Sequence, residues 1–300
     1  MPYINNIDCD EIRSGYLVTD SLKRCFNAMI ELVMELDRIC KKHDLRYFIT
    51  AGTLLGAVRH RGFIPWDHDF DVDMLRPDYE KLMQVIEDEL EEPFYIETPY
   101  NQKYMLYHSQ LRHRNTVLTT YPPNITLGGL QLDIFPLDFC PYNDRAYPPE
   151  LAKKYLAAYE LIKCRDNVDH MYQQVKAGAD SFLTADQYEW LRTHTRLERM
   201  RYYEDYMLEN FAVGDTVGVT SWVLLDKESQ QNTFPRSWYD HTVYLPFETV
   251  ELPTFSHYME YLDIAYPDWH QPKITKNTNS LTAGMSADIS YLELVDLIEQ

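Results

Sequence analysis

Residues 47–82 read YFITAGTLLGAVRHRGFIPWDHDFDVDMLRPDYEKL. The segment opens on a β-branched and aromatic strand ending at Gly52, then makes a short helical turn, TLLGAVRH. It crosses Gly62 and Pro65 and enters a second strand, DHDFDVDML. Strand side chains alternate between faces, so Asp67, Asp69, Asp71 and Asp73 are expected on one face and Phe70, Val72 and Met74 on the other. The apolar face packs on a core. Massed carboxylates on the opposite face repel unless protons, basic groups or a cation neutralise them. A hard divalent cation is the economical solution, because Mg²⁺ takes a few carboxylates together with waters and substrate phosphates. The competing reading is an edge strand whose acidic face is simply solvated. An EF-hand loop would place Asp67, Asp69, Asp71 and Asp78 at ligand positions, but Val72 stands where its turn demands Gly.

Around the acidic strand lie groups suited to phosphate. Backbone amides at Gly52-Thr53 open a helical turn and can hold phosphate oxygens, and Arg59 or Arg61 can clamp them with paired hydrogen bonds. A third acid, Asp133, sits between Leu132 and Ile134 in LQLDIF, where a metal is its most natural partner. Arg112 can also reach donor phosphates, although its spacing from Arg114 equally suits a solvated basic face. His108, His113, His257 and His270 show no metal-ligand spacing and read as ordinary polar or core residues.

Further out, residues 21–43 carry apolar groups at a 3.6-residue period and predict an amphipathic helix, capped by Thr19, Asp20 or Ser21. Pro77 opens a second helix, and strands are expected at 94–98, 103–112 and 130–135, the last stopped by Pro136. Residues 147–212 turn helical and polar, and 271–290 read as a loosely held tail. The order predicts an α+β fold, a mixed sheet with flanking helices. Residues 1–143 form the catalytic core, 144–212 a helical insertion, and 213–300 complete the same domain.

Composition narrows the function. The 300 residues are 45% hydrophobic, enough to bury a core, and the formal net charge of −19 argues against a phosphate-polymer partner, so neither DNA nor RNA is expected. Five widely spaced cysteines suggest neither a zinc knuckle nor a disulfide framework, which points to a reducing, cytoplasmic compartment. No apolar run is long enough to span a bilayer, so membrane association is peripheral at most, at the inner face.

The run 47–82 closely resembles the signature of the LicD family, which includes phosphocholine transferases and the fukutin-related protein. The resemblance extends to LVMELDRICKKHDL (32–45), LQLDIFPLD (130–138), FPRSWYD (234–240) and LPFE (245–248), about half of the chain. It implies a polymerase-beta-like nucleotidyltransferase fold in which Gly52 and Thr53 form the turn, Asp69 and Asp71 the metal pair, and Asp133 the third acid. Asp67 and Asp138 belong to the matched motifs and are expected behind the metal ligands, although Asp138 equally suits a turn cap. The implied reaction moves phosphocholine or an alditol phosphate from a CDP-linked donor to a hydroxyl of a cell-surface glycan, free or lipid-linked. Mg²⁺, or Mn²⁺, assists and CMP leaves. Two departures stand out: Tyr266-Pro267-Asp268-Trp269 replaces a more usual Tyr-Gly-Asp-Tyr, and His68 replaces an Asp. An NTP-dependent nucleotidyltransferase releasing pyrophosphate would use the same three acids, and a silent metal or nucleotide sensor would bind without turnover.

Overall fold

The computed structural model describes residues 2–67, 69–100, 108–120, 127–140, 149–211, 218–221, 233–273 and 282–288. A short hairpin, β1 (Glu11–Arg13) and β2 (Tyr16–Val18), precedes the first helix. Sequence periodicity did not predict it, since two three-residue strands are too short to show alternation. Helix α1 (Asp20–Lys42) begins where Thr19 accepts a hydrogen bond from the Leu22 amide, which selects Thr19 among the three candidate caps. Its apolar stripe, from Cys25 and Phe26 to Ile39 and Cys40, is fully buried.

Next come β3 (Phe48–Ile49), α2 (Ala51–His60), β4 (Asp71–Leu75) and α3 (Arg76–Glu89), which starts on Pro77 as expected. β5 (Phe94–Glu97), β6 (Ser109–Thr120) and β7 (Leu127–Cys140) follow. The central sheet runs β12 (Thr282–Ser286), β6, β7, β4, β3, with β5 on β6 and β8 (Gly218–Thr220) on β7. β4 and β7 are parallel and β6 and β7 antiparallel, so the sheet is mixed. Leu111, Leu130, Leu132, Ile134 and Val72 are buried in the core. On that face His113 pairs with Glu31 of α1, and the Ser109 hydroxyl meets the Tyr79 hydroxyl of α3 at 2.6 Å, so these two helices cover it.

Several strand boundaries differ from expectation. β6 runs over 109–120 rather than 103–112, and residues 101–107 lie outside the described set. β7 continues through Pro136 instead of stopping there. Its pairing with β6 ends at Ile134 and its pairing with β8 (Gly218–Thr220) begins at Asp138, so Pro136 occupies a gap on that edge where no ladder amide is needed. At the other end of β7, a Cβ on Gly129 would collide with the His113 carbonyl, beside the irregularity in the β6–β7 register.

Helices α4 (Pro149–Lys176), α5 (Ala185–Thr193) and α6 (Arg196–Phe211) follow β7. A capping box formed by Thr184 and Gln187 opens α5, and α6 rests on β7. β9 (Thr233–Pro235) pairs with β8; β10 (Thr242–Phe247) and β11 (Val250–Phe255) form a hairpin, and α7 (Tyr258–Ala265) follows. β12 (Thr282–Ser286) corrects the expectation of a loose tail: it adds an antiparallel strand to β6, and Asp288 just beyond it binds Arg24 of α1 at 2.6 Å. Backbone pairing holds this segment, and pairing of that kind leaves no trace in a Thr-, Asn- and Ser-rich composition.

Candidate active site

The geometry of β4 and β7 brings the acids together. Asp71 and Asp133 are register partners on adjacent parallel strands, and the Asp133 amide donates to the Phe70 carbonyl at 2.8 Å. Neighbouring strands stand roughly 4.8 Å apart, so the two carboxylates emerge side by side. Asp67 and Asp69 come from the segment before β4 rather than from the strand itself, which begins at Asp71. They lie against the first turn of α2: a Cβ built on Gly52 would stand 2.5 Å from Asp67 Oδ2 and 3.9 Å from Asp69 Oδ1. Glycine is therefore required at this position for the carboxylates to approach the helix backbone.

On the predicted acidic face, Asp73 differs from its neighbours in being covered by the protein itself. Its side chain is buried, 5% exposed, and accepts a hydrogen bond from Thr50. Burial pushes its carboxyl up to about 7. Thus Asp73, on the same face of β4 as Asp71, is closed off by Thr50, while Asp67, Asp69, Asp71 and Asp133 form the cluster. Burial first, and then the charges of Asp69, Asp133, Asp67 and Asp73, hold the Asp71 carboxyl well above the usual carboxylate range.

A cavity of about 560 Å³ opens onto this cluster, lined by Gly52, Asp67, Asp69 and Asp71 on one side. Trp66 and Arg59 also line it, and the chain from Ala265 to Trp269, with Gln271 and Lys273, forms the opposing wall. Arg59 is anchored there by donating Nη1 to the Trp269 carbonyl at 2.9 Å. Burial lowers its guanidinium pKa, opposed by the charge of Asp67. Burial likewise raises the Tyr266 phenol, and Tyr261, Asp71, Asp67 and Asp69 add to the effect. The cavity thus combines carboxylate oxygens, the cations Arg59 and Lys273 and the aromatic rings of Trp66, Tyr266 and Trp269, a combination able to hold a charged phosphate compound with a flat ring.

The remaining predicted site residues fall elsewhere. Thr53 is buried and its Oγ1 accepts from the Asp71 amide at 2.9 Å, so it ties α2 to β4. Arg61 ends α2 in a left-handed conformation, is exposed, and is absent from the cavity lining. Arg112, 4% exposed, pairs with Glu97 and hydrogen-bonds the Gly129 carbonyl and Gln110, again away from the cavity lining. Asp138 lies an odd number of residues beyond Asp133 and faces the other side of β7. There it pairs with Arg76 at 2.6 Å and accepts from Tyr203 at 2.9 Å. His68 lies outside the described residues.

His108, read from sequence as an ordinary polar or core residue, and Gln110 and Gln131, which no motif singled out, also meet Asp133. Gln110 Nε2 donates to its Oδ1 at 2.7 Å, His108 Nε2 stands 3.2 Å from the same oxygen, and Gln131 approaches both oxygens at 3.3 Å. Alternation over 108, 110 and 112 would have put His108 and Gln110 on the face of Arg112, but the paired arginines at 112 and 114 drew attention to charge alone.

Fold and site together define an α+β nucleotidyltransferase-like domain. Residues 44–145 match the family described as LicD/FKTN/FKRP, nucleotidyltransferase domain. Over 234 residues, 77% of the chain and 84% of the relative, it is 24% identical to the lipopolysaccharide cholinephosphotransferase LicD of Haemophilus influenzae. It is 37% identical over 59 residues to an uncharacterized protein of Rickettsia prowazekii, covering 20% of the chain and 22% of that protein. Over 48 residues, 16% of the chain and 10% of the relative, it is 38% identical to the human ribitol 5-phosphate transferase FKRP. Among the described residues no helix is long and apolar enough to cross a membrane.

Proposed function

We propose that the chain transfers a substituted phosphate, phosphocholine or an alditol phosphate, from a CDP-linked donor to a hydroxyl of a cell-surface glycan, in a Mg²⁺-dependent reaction. The observation that carries this reading is the register pairing of Asp71 with Asp133 behind a cavity of about 560 Å³ that Asp67, Asp69 and Asp71 line. The names of two relatives, one a cholinephosphotransferase and one a ribitol 5-phosphate transferase, supply the class of group transferred.

The donor set fits a hard cation. It consists of carboxylate oxygens alone, and the raised Asp71 carboxyl marks negative charge that the surrounding protein leaves unbalanced. Among the described residues no three acidic, His or Cys side chains are already closed to ligand spacing. Asp69, Asp71 and Asp133 would therefore close onto the cation as it binds, and the donor phosphates would complete its shell. Mg²⁺ or Mn²⁺ bound there supplies neutralisation of the donor pyrophosphate and of the departing CMP. Arg59 and Lys273 hold the donor from the far side of the cavity, and Trp66 and Tyr266 flank its base. Closing the donor into this cavity displaces water from the reacting phosphate, which strengthens each of these charge interactions.

The test is thermal melting of the purified protein with Mg²⁺ and, separately, CDP-choline, CDP-ribitol, CDP-glycerol and CTP, followed by assay of CMP release with the donor that binds. A ligand that binds only the folded state raises the melting temperature. A Mg²⁺-dependent shift with one CDP-alcohol, lost in Asp71→Asn, is the expected result. A shift with CTP alone together with pyrophosphate release would replace this reading with nucleotidyl transfer, and binding without turnover would replace it with a sensor.

A further inference from the structure

Four polar residues form one row across four neighbouring strands. Glu97 of β5 is the register partner of Gln110 of β6, Gln110 of Asp133 of β7, and Asp133 of Asp71 of β4. Glu97 enters this row as an ion pair with Arg112, and the hydrogen bonds from Arg112 to Gln110 and from Gln110 to Asp133 are directional. Glu97 Oε2 lies 2.6 Å from Arg112 Nε, and Arg112 donates Nη1 to the Gly129 carbonyl at 3.0 Å and Nη2 to Gln110 Oε1 at 2.5 Å. An amide whose oxygen is held by an arginine must present its NH₂ on the other side, and Gln110 Nε2 donates to Asp133 Oδ1 at 2.7 Å. Gln110 is 2% exposed and Arg112 4%, so water does not compete for these bonds.

The result is an unequal load on the two oxygens of Asp133. Oδ1 meets Gln110, His108 and Gln131, whereas Oδ2 meets only the Gln131 amide, at 3.3 Å, among the described residues. A carboxylate can accept about four hydrogen bonds in all, so the protein occupies one oxygen and leaves capacity on the other. Resting on the metal-dependent reading above, we infer that Glu97, Arg112 and Gln110 form a positioning relay that fixes the Asp133 carboxylate and reserves Oδ2 for the divalent cation. Arg112 accordingly acts inside the sheet, through Gln110. A lysine at 112 would keep the charge opposite Glu97 but could not hold the Gly129 carbonyl and Gln110 in one planar fork.

The relay is tested by calorimetric titration of the full chain with Mn²⁺ in place of Mg²⁺, comparing the unmodified protein with Asp71→Asn, Gln110→Met, Arg112→Lys and Glu97→Gln. The unmodified protein is expected to bind and Asp71→Asn not to. Groups that orient a metal ligand typically contribute about 10- to 100-fold in affinity, so Gln110→Met should weaken Mn²⁺ by at least about 10-fold. Arg112→Lys should follow it, and Glu97→Gln should weaken binding by a smaller factor. Glu97 sits at the sheet edge with 35% of its side chain exposed, so its amide variant tests the relay even if Gln110→Met fails to fold. Unchanged Mn²⁺ affinity in folded Gln110→Met, or in Glu97→Gln, overturns the relay while leaving the metal-dependent reading in place. Absence of Mn²⁺ binding by the unmodified protein overturns both.

Discussion

β7 carries two buried acids, and the protein treats them in opposite ways. On one side of the strand Asp138 meets the guanidinium of Arg76 through two hydrogen bonds, at 2.6 and 3.0 Å, and the Tyr203 hydroxyl at 2.9 Å. On the other side Asp133 faces amides and an imidazole, while its strand neighbour Asp71 faces other carboxylates. Burying a carboxylate is costly unless it is paired and hydrogen-bonded. Asp138 satisfies that rule within the chain and holds α3 and α6 to the sheet. The Asp71 side breaks it, and such a violation is characteristic of a site that awaits a charged ligand.

Removing each acid should separate the two roles. Asp71→Asn is expected to lower CMP release by at least about 10²-fold, the usual scale for losing an electrostatic contribution to transition-state stabilisation. It should leave thermal stability unchanged or higher, because it relieves repulsion. A marked fall in melting temperature would show that Asp71 is part of the scaffold. Asp138→Ala should do the converse. It leaves Arg76 buried without its main partner and is expected to cost about 3–5 kcal/mol in chemical denaturation. The fraction that remains folded should keep its Mg²⁺ response. Saturation at about 100 times the dissociation constant adds about 2.7 kcal/mol to stability, in the unmodified protein and in Asp138→Ala alike, and nothing in Asp71→Asn.

The same contrast explains how far the sequence could be read. Alternation over residues 69–75 is a local signal, and it correctly put Phe70, Val72 and Met74 in the core. The helix over 20–42 was equally visible because its period is carried by its own residues. What pairs with what was not local. Asp138 looked like a companion of Asp133 because five residues separate them in a shared motif, yet strand parity and Arg76 place it on the opposite face. Asp73 continued the acidic alternation but ran beneath Thr50, a residue of another segment. Gln110 carries no charge and stood out in no motif, and only the β6–β7 register brings it to Asp133. The β12 strand was hidden for the same reason, since its pairing with β6 depends on backbone rather than on a pattern of side chains.

The smallest effect sharpens the comparison from the balanced side. Arg76 is shared by Asp138, Glu80 and Glu204, so one cation serves three acids. Glu204 is the poorest served, at 3.6 Å, and accepts a hydrogen bond from the Tyr100 hydroxyl at 3.0 Å. Burial, with the charges of Glu80 and Asp138, raises its carboxyl to about 7 against the opposing pull of Arg76 and Tyr100. Between pH 4.5 and about 7 the folded chain therefore holds a proton that the unfolded chain has lost. By linkage, this group's contribution is fully present below pH 4.5 and is lost as pH rises through about 7. Glu204→Gln removes the titrating proton while keeping the shape. Denaturation midpoints measured from pH 5 to pH 8 should fall less steeply with pH in the variant than in the unmodified protein. Equal slopes would mean that Arg76 fully compensates all three acids, and the surplus charge of this fold would then be confined to the Asp71 side of the sheet.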